Sequence, residues 1–254
     1  MRHRHCMLLL ICLVLIALPV RTAWTADSVE LAIQPDVLNI GTFYSTGQVT
    51  ISGEVPAGQD VIVEIAGPAA NGKFDLKGRV GPFWMTRGKA EMDGAPAMYV
   101  VLLPGGPDWQ QKASALGLGL QKLKNEVSIQ SDELPSDKLF DMFVELKKSE
   151  DLYAVKENAV TYAPAENGHK RFTAVCSFPR STPLGEYQIK ATAVADGAKG
   201  PQQSLSFLVD EVGFTRLVYD LATNQRLTYG ILSVLIALFA GAVMGLLFKS
   251  GGGH

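Results

Sequence analysis

Two uninterrupted apolar runs frame a long segment in which apolar and polar positions alternate in short bursts. The first run, Met7 to Leu18, follows the basic start Met-Arg-His-Arg-His-Cys and ends at Pro19. As a helix it would rise only about 18 Å against a hydrocarbon core of ~30 Å, so it reads as the core of a secretory signal peptide over residues 1–26. Cutting after Ala26 or Ala23 would leave Trp24 or Arg21 where a small residue is preferred, so cleavage and an uncleaved signal anchor both stay open. The second run, Tyr229 to Phe248, carries no charge and would rise about 30 Å, the thickness of the hydrocarbon core. It is predicted to span the membrane. Lys249 follows it, and residues 249–254 are expected to form a short cytoplasmic tail.

Between the runs the pattern is first that of strands. Val49 to Val55 alternates, Pro56-Ala-Gly signals a turn, and Asp60 to Ala66 follows, which predicts a hairpin. Further strands are predicted at Val29–Ile33, Val37–Ile40, Phe74–Val80, Lys89–Met92 and Met98–Leu103. At Pro104-Gly-Gly-Pro the texture changes. Helix formers with apolar positions at helical spacing run from Asp108 to Leu123 and from Ser136 to Ser149. In the second stretch Leu139, Phe140, Phe143, Val144 and Leu146 share one side. Strands return at Ala159–Tyr162, Phe172–Phe178, Tyr187–Val194 and Ser204–Val209. Four short strands make a poor core alone, so they are expected to complete the first set. The fold class is therefore mainly β: an immunoglobulin-like β-sandwich over residues 27–211 with a helical insert at about 107–150. Two small β modules bridged by helices are the alternative. An amphipathic juxtamembrane helix is expected over 212–228, with Phe214, Leu217, Val218 and Leu221 in one stripe, and then one C-terminal transmembrane helix over 229–248.

Composition sharpens this division. The whole chain has a net charge of −2, but three arginines lie in residues 1–26 and Lys249 follows the span. Residues 27–228 thus hold 23 − 3 − 1 = 19 basic and 25 acidic residues, a net of −6. That balance lacks the basic footprint of a nucleic-acid binder, and it argues against a domain held to anionic lipid by its own charge. Cys6 and Cys12 precede residue 27, which leaves Cys176 alone in the exported segment, where burial in a β-like run is the ordinary role.

No catalytic, cofactor or metal site is predicted. Gly67-Pro-Ala-Ala-Asn-Gly72-Lys73 mimics a phosphate-binding loop, but Phe74 stands where Ser or Thr must hold magnesium and a strand pattern follows in place of a helix. Asn71-Gly72 is expected to be a hairpin turn, so no nucleotide partner is expected. His169 lies in a polar turn with no nucleophile elbow in the sequence, and no Cys or His pair has ligand spacing. Phe83-Trp84-Met85, after Gly81-Pro82, has two readings. It can fill the sandwich core, the ordinary place for such a group, or stand on the rim as an interaction patch. In the second apolar run Ser233, Ala237, Gly241 and Gly245 recur every four residues. Small residues let helices approach closely, so this face is expected to pack a partner helix, either a second copy or another membrane protein; a plain anchor is the bland reading.

The chain resembles a family of alphaproteobacterial transmembrane proteins abbreviated Alph_Pro_TM. The resemblance is carried by Gly47 to Pro68, Leu76-Lys-Gly-Arg-Val-Gly-Pro-Phe-Trp-Met85, Met98-Tyr99-Val, Leu152-Tyr153, Pro183-Leu-Gly-Glu-Tyr187, and Tyr229-Gly with the small-residue span. It implies a signal peptide, an exported domain in the periplasm and one C-terminal span in the inner membrane. It brings no catalytic residues. Genes of the family are thought to neighbour permeases that resemble sulfite exporters, which makes such a permease a candidate partner.

Overall fold

A computed structural model describes residues 29–131 and 133–249. The expected signal peptide and the tail beyond Lys249 lie outside the described residues. The domain is mostly β. Nine strands form one sheet in the order β1 (Glu30–Gln34), β3 (Thr46–Pro56), β10 (His169–Pro179), β9 (Tyr153–Tyr162), β7 (Tyr99–Pro104), β4 (Asp60–Ala66), β11 (Gly185–Ala195), β12 (Ala198–Glu211) and β2 (Val37–Ile40). The two edge strands β1 and β2 are consecutive in the chain, and β1 also lies against β12, so the sheet nearly closes on itself. Strands from before and after the helical insert share this one sheet, with β7 and β9 paired in parallel across the join.

The interior follows from alternation. Val49, Ile51, Phe172, Phe178, Tyr187 and Ile189 are fully buried on strands whose alternate residues are more exposed. Phe178, Tyr187 and Phe207 form one aromatic cluster, with centroids 5.3–5.6 Å apart. The Tyr187 hydroxyl donates to the Pro183 carbonyl at 2.8 Å, which satisfies a buried phenol at the start of β11. Strand β4 is buried on both faces because the helical insert covers its outer side: Val61, Ile62, Val63, Glu64 and Ile65 are all buried.

The insert holds α1 (Trp109–Ala115), α2 (Leu120–Glu126) and α3 (Ser136–Ser149). The single helix predicted over 108–123 is two helices, since Gly117 and Gly119 take φ of +60° and +76° and break it. The bounds of α3 are those predicted, with Leu139, Phe140, Phe143 and Val144 buried. Leu146 is left exposed at the edge of the stripe.

Two predicted turns are corrected. Strands β3 and β4 do not pair: β3 lies between β1 and β10, and β4 between β7 and β11, so Ala57-Gly58-Gln59 crosses from one side of the sheet to the other. Asn71-Gly72 lies inside a long strand, β5 (Ala69–Val80), at a register shift. There Asn71 stands opposite both Asp93 and Gly94 of the partner strand and accepts a bond from the Gly94 N–H, so the pair faces a bulge in that strand, where Gly94 takes a φ of +79°, and is not a hairpin turn. Strand β5 pairs with β6 (Phe83–Pro96), and the turn falls at Gly81-Pro82. A short strand, β8 (Ser128–Ser131), missed by the sequence pattern, adds to the inner part of β6 to complete a separate three-stranded sheet.

Candidate interaction surfaces

The register places several features at one end of the large sheet. Ala66, the last residue of β4, pairs with Tyr99 at the start of β7 and with Gln188 near the start of β11. Gly185 in turn pairs with Val209 near the end of β12. The root of the β5–β6 hairpin, at Gly67-Pro68 and Ala97-Met98, therefore shares an end with the point where the chain leaves β12. Short contacts tie this end together. The Gly67 N–H donates to Met98 O at 2.8 Å, the Ala97 N–H to Pro68 O at 2.8 Å, and the Tyr99 N–H to Leu152 O at 2.9 Å. A side chain at Gly67 would meet the Tyr187 ring, and one at Gly185 would meet Pro68. Four of the segments that carry the family resemblance thus meet at this end: the close of Gly47–Pro68, Met98-Tyr99, Leu152-Tyr153 and Pro183–Tyr187.

A fifth such segment forms the far end of the hairpin. Phe83, Trp84 and Met85 are 67%, 74% and 53% exposed, so they do not fill the core; they stand at the tip beside exposed Val80. The reason is local. Strand β8 covers β6 only along Ala90 to Asp93, and beyond Ala90 toward the tip the two-stranded ribbon has no third strand beside it. The pairing of Val80 with Phe83 and of Gly78 with Met85 puts the aliphatic groups and Phe83 on one face. Arg79 opposite Trp84, and Lys77 opposite Thr86, lie on the other.

A buried polar group lies where the insert meets the sheet. Glu64 is only 3% exposed. Its Oε1 accepts the Tyr99 hydroxyl at 2.5 Å and the Gly119 N–H at 3.0 Å, and Lys122 Nζ stands 4.0 Å from Oε2. Burial first, and then the Glu64 charge, hold the Tyr99 phenol well above its ordinary range. Tyr153, beside Tyr99 on β9, donates to Pro96 O at 2.6 Å, so the cluster also fixes the hairpin root.

His169 is exposed at the start of β10, with Nδ1 3.4 Å from Asn167 O, in a shallow depression beside Glu54 and Arg171. Among the described residues no three His, Cys, Asp or Glu side chains gather to hold a metal ion. Cys176 is fully buried on β10, and burial pushes its thiol up to about 12. At about pH 8 roughly one thiol in ten thousand would be ionised, so Cys176 is expected to resist iodoacetamide in the folded protein and to react once unfolded, as read by mass spectrometry of its peptide. The folded chain holds this proton more tightly than the unfolded one. Its contribution to stability is therefore complete below the ordinary thiol value of 9.0 and is lost as pH rises toward about 12.

Beyond β12, α4 (Phe214–Asn224) presents exposed Phe214, Leu217 and Tyr219, while Arg216 pairs with Asp210 and Asp220 at 2.8 and 3.2 Å. The backbone turns at Gln225 into α5 (Arg226–Lys249), a helix long and apolar enough to cross a membrane between Arg226 and Phe248. No part of that span is buried in the domain. Along it a Cβ at Gly241 or Gly245 would meet nothing within 4 Å, and the Ser233 hydroxyl is occupied by the Tyr229 carbonyl at 2.8 Å.

A mostly β domain followed by one apolar helix of spanning length defines the class, a membrane-anchored β protein. The chain belongs to the family described as "Putative transmembrane protein (Alph_Pro_TM)", which matches residues 28–250. No curated protein matches it.

Proposed function

We propose that this protein is an accessory subunit of another membrane protein, with its β domain in the periplasm and α5 anchored in the bacterial inner membrane. The observation that carries this reading is the uncovered face of α5, where Gly241 and Gly245 leave the backbone open to close approach in a helix that the domain does not touch. The family resemblance offers a permease of the sulfite-exporter type as the partner. An immunoglobulin-like reading of the domain is supported by the parallel pairing of β2 with β12 and by the hydroxyl of Tyr187 reaching back to Pro183. Such domains commonly serve as binding modules.

Replacing Gly241 and Gly245 together by isoleucine is expected to abolish crosslinking of the protein to its partner in native membranes and to leave insertion unchanged. Mass spectrometry of the crosslinked species identifies the partner. Unaltered crosslinking in the double variant would sink the helix-packing reading, and recovery of the protein alone would discard the permease.

A further inference from the structure

We propose that the β5–β6 hairpin docks on the anionic surface of the bilayer that α5 spans, and so holds the β domain at a second point besides its anchor. Three observations meet here. The hairpin is rooted at the end of the sheet from which the chain leaves β12 for the membrane. Its tip exposes Val80, Phe83, Trp84 and Met85, and aromatic residues of this kind favour the interface between headgroups and acyl chains. The segment Leu76 to Ala90 carries Lys77, Arg79, Arg87 and Lys89, all exposed, and contains no acidic residue. The nearest acids lie further in: Asp75 pairs with Lys89, and Glu133 lies against Gly88.

Charge complementarity commits the site to anionic lipid. The domain as a whole is acidic, so a cationic tip is a local departure and not a share of the average. Reach is sufficient. The 11 residues of α4, with Val212-Gly213 before it and Gln225 after it, can separate the domain from the span by at most about 27 Å, whereas the 12 residues of β5 extend ~40 Å. The exposed stripe of Phe214 and Leu217 on α4 directly precedes the span in the chain and suits the same interface.

The test uses the full-length protein in nanodiscs of phosphatidylcholine with phosphatidylglycerol, the acyl chains being brominated to quench nearby tryptophan. Subtracting the emission of Trp84→Phe removes the signals of Trp24 and Trp109, and the blue emission of buried Trp109 reports that each variant is folded. Trp84 emission is expected to fall about twofold or more. The fall should be largely lost in a variant with Lys77, Arg79, Arg87 and Lys89 all replaced by glutamine. Full Trp84 emission in brominated bilayers would overturn the proposal. If Trp84 then remains open to acrylamide, the tip is free in solution, and if it is shielded, a protein covers it. Equal quenching in the glutamine variant would overturn the assignment to anionic lipid.

Discussion

Gly53→Ala is expected to lower the melting temperature of the protein by on the order of 10 °C, the loss of about 3 kcal/mol in a domain of this size. Gly53 lies on β3 between Leu31 of β1 and Phe172 of β10. A Cβ there would run into the carbonyl oxygen of Glu30 and come within 2.7 Å of the Phe172 ring. Neither neighbour can give cheaply. The Glu30 oxygen is backbone, and Phe172 is fully buried in the core. The methyl group must therefore push β1 off the sheet or drive Phe172 from its place, and β1 is the strand that helps close the sheet around its interior. Gly58→Ala is the control, because nothing lies within 4 Å of a Cβ at that turn, and its effect should stay within about 0.5 kcal/mol. A Gly53→Ala protein melting within about 2 °C of the unmodified one would show that the β1–β3 pairing is looser than described.

What the sequence made legible divides by range. Strand β4 and helix α3 have the predicted bounds, and the start of β2 at Val37 is likewise as predicted, because alternation and helical periodicity are local properties. The span is legible for the same reason. Pairing is not local. Pro56-Ala-Gly reads as a hairpin turn, yet an equally short and exposed connection carries the chain from one side of the sheet to the other. No pattern within β3 or β4 distinguishes the two. Asn71-Gly72 failed similarly: its tolerance of unusual backbone geometry goes unused inside β5, and the residue that takes positive φ at this bulge is Gly94, 23 residues from Asn71 on the partner strand.

The candidate surfaces were legible as residues and not as places. Phe83-Trp84-Met85 is visible in the sequence, and nothing there says that the ribbon outruns its third strand; that depends on β8, a four-residue strand whose pattern is too short to read. Net charge misled by averaging, since −6 over residues 27–228 conceals four cations and no acid in the outer part of one hairpin, Leu76 to Ala90. A window of about fifteen residues would have found them. Glu64 carried a signal of its own: a lone carboxyl in the middle of Asp60-Val-Ile-Val-Glu-Ile-Ala, on a strand otherwise apolar enough to be buried on both faces, demands partners. Its partners come from 35 and 55 residues away, which no spacing rule reaches.

Glu64→Ala is expected to destabilise the protein by about 3 kcal/mol, through two donors left without an acceptor and the space left by the side chain. The Tyr99 hydroxyl and the Gly119 N–H both point at Oε1, and Gly119 is where α2 begins, so its N–H has no acceptor within the helix. Losing the carboxyl therefore frees the insert from β4 and loosens Tyr99 beside the hairpin root at the same time. Glu64→Gln keeps an acceptor for both donors and should cost about 1–2 kcal/mol, the difference between charge-assisted and neutral hydrogen bonds. Denaturant unfolding of Glu64→Ala, Tyr99→Phe and the double variant separates this network from simple packing. Once Glu64 is gone, the Tyr99 hydroxyl has no partner to lose, so the double variant should be more stable than the sum of the single losses predicts by about 1–2 kcal/mol. Losses that add to within about 0.5 kcal/mol would mean that the 2.5 Å contact contributes nothing beyond its two separate side chains.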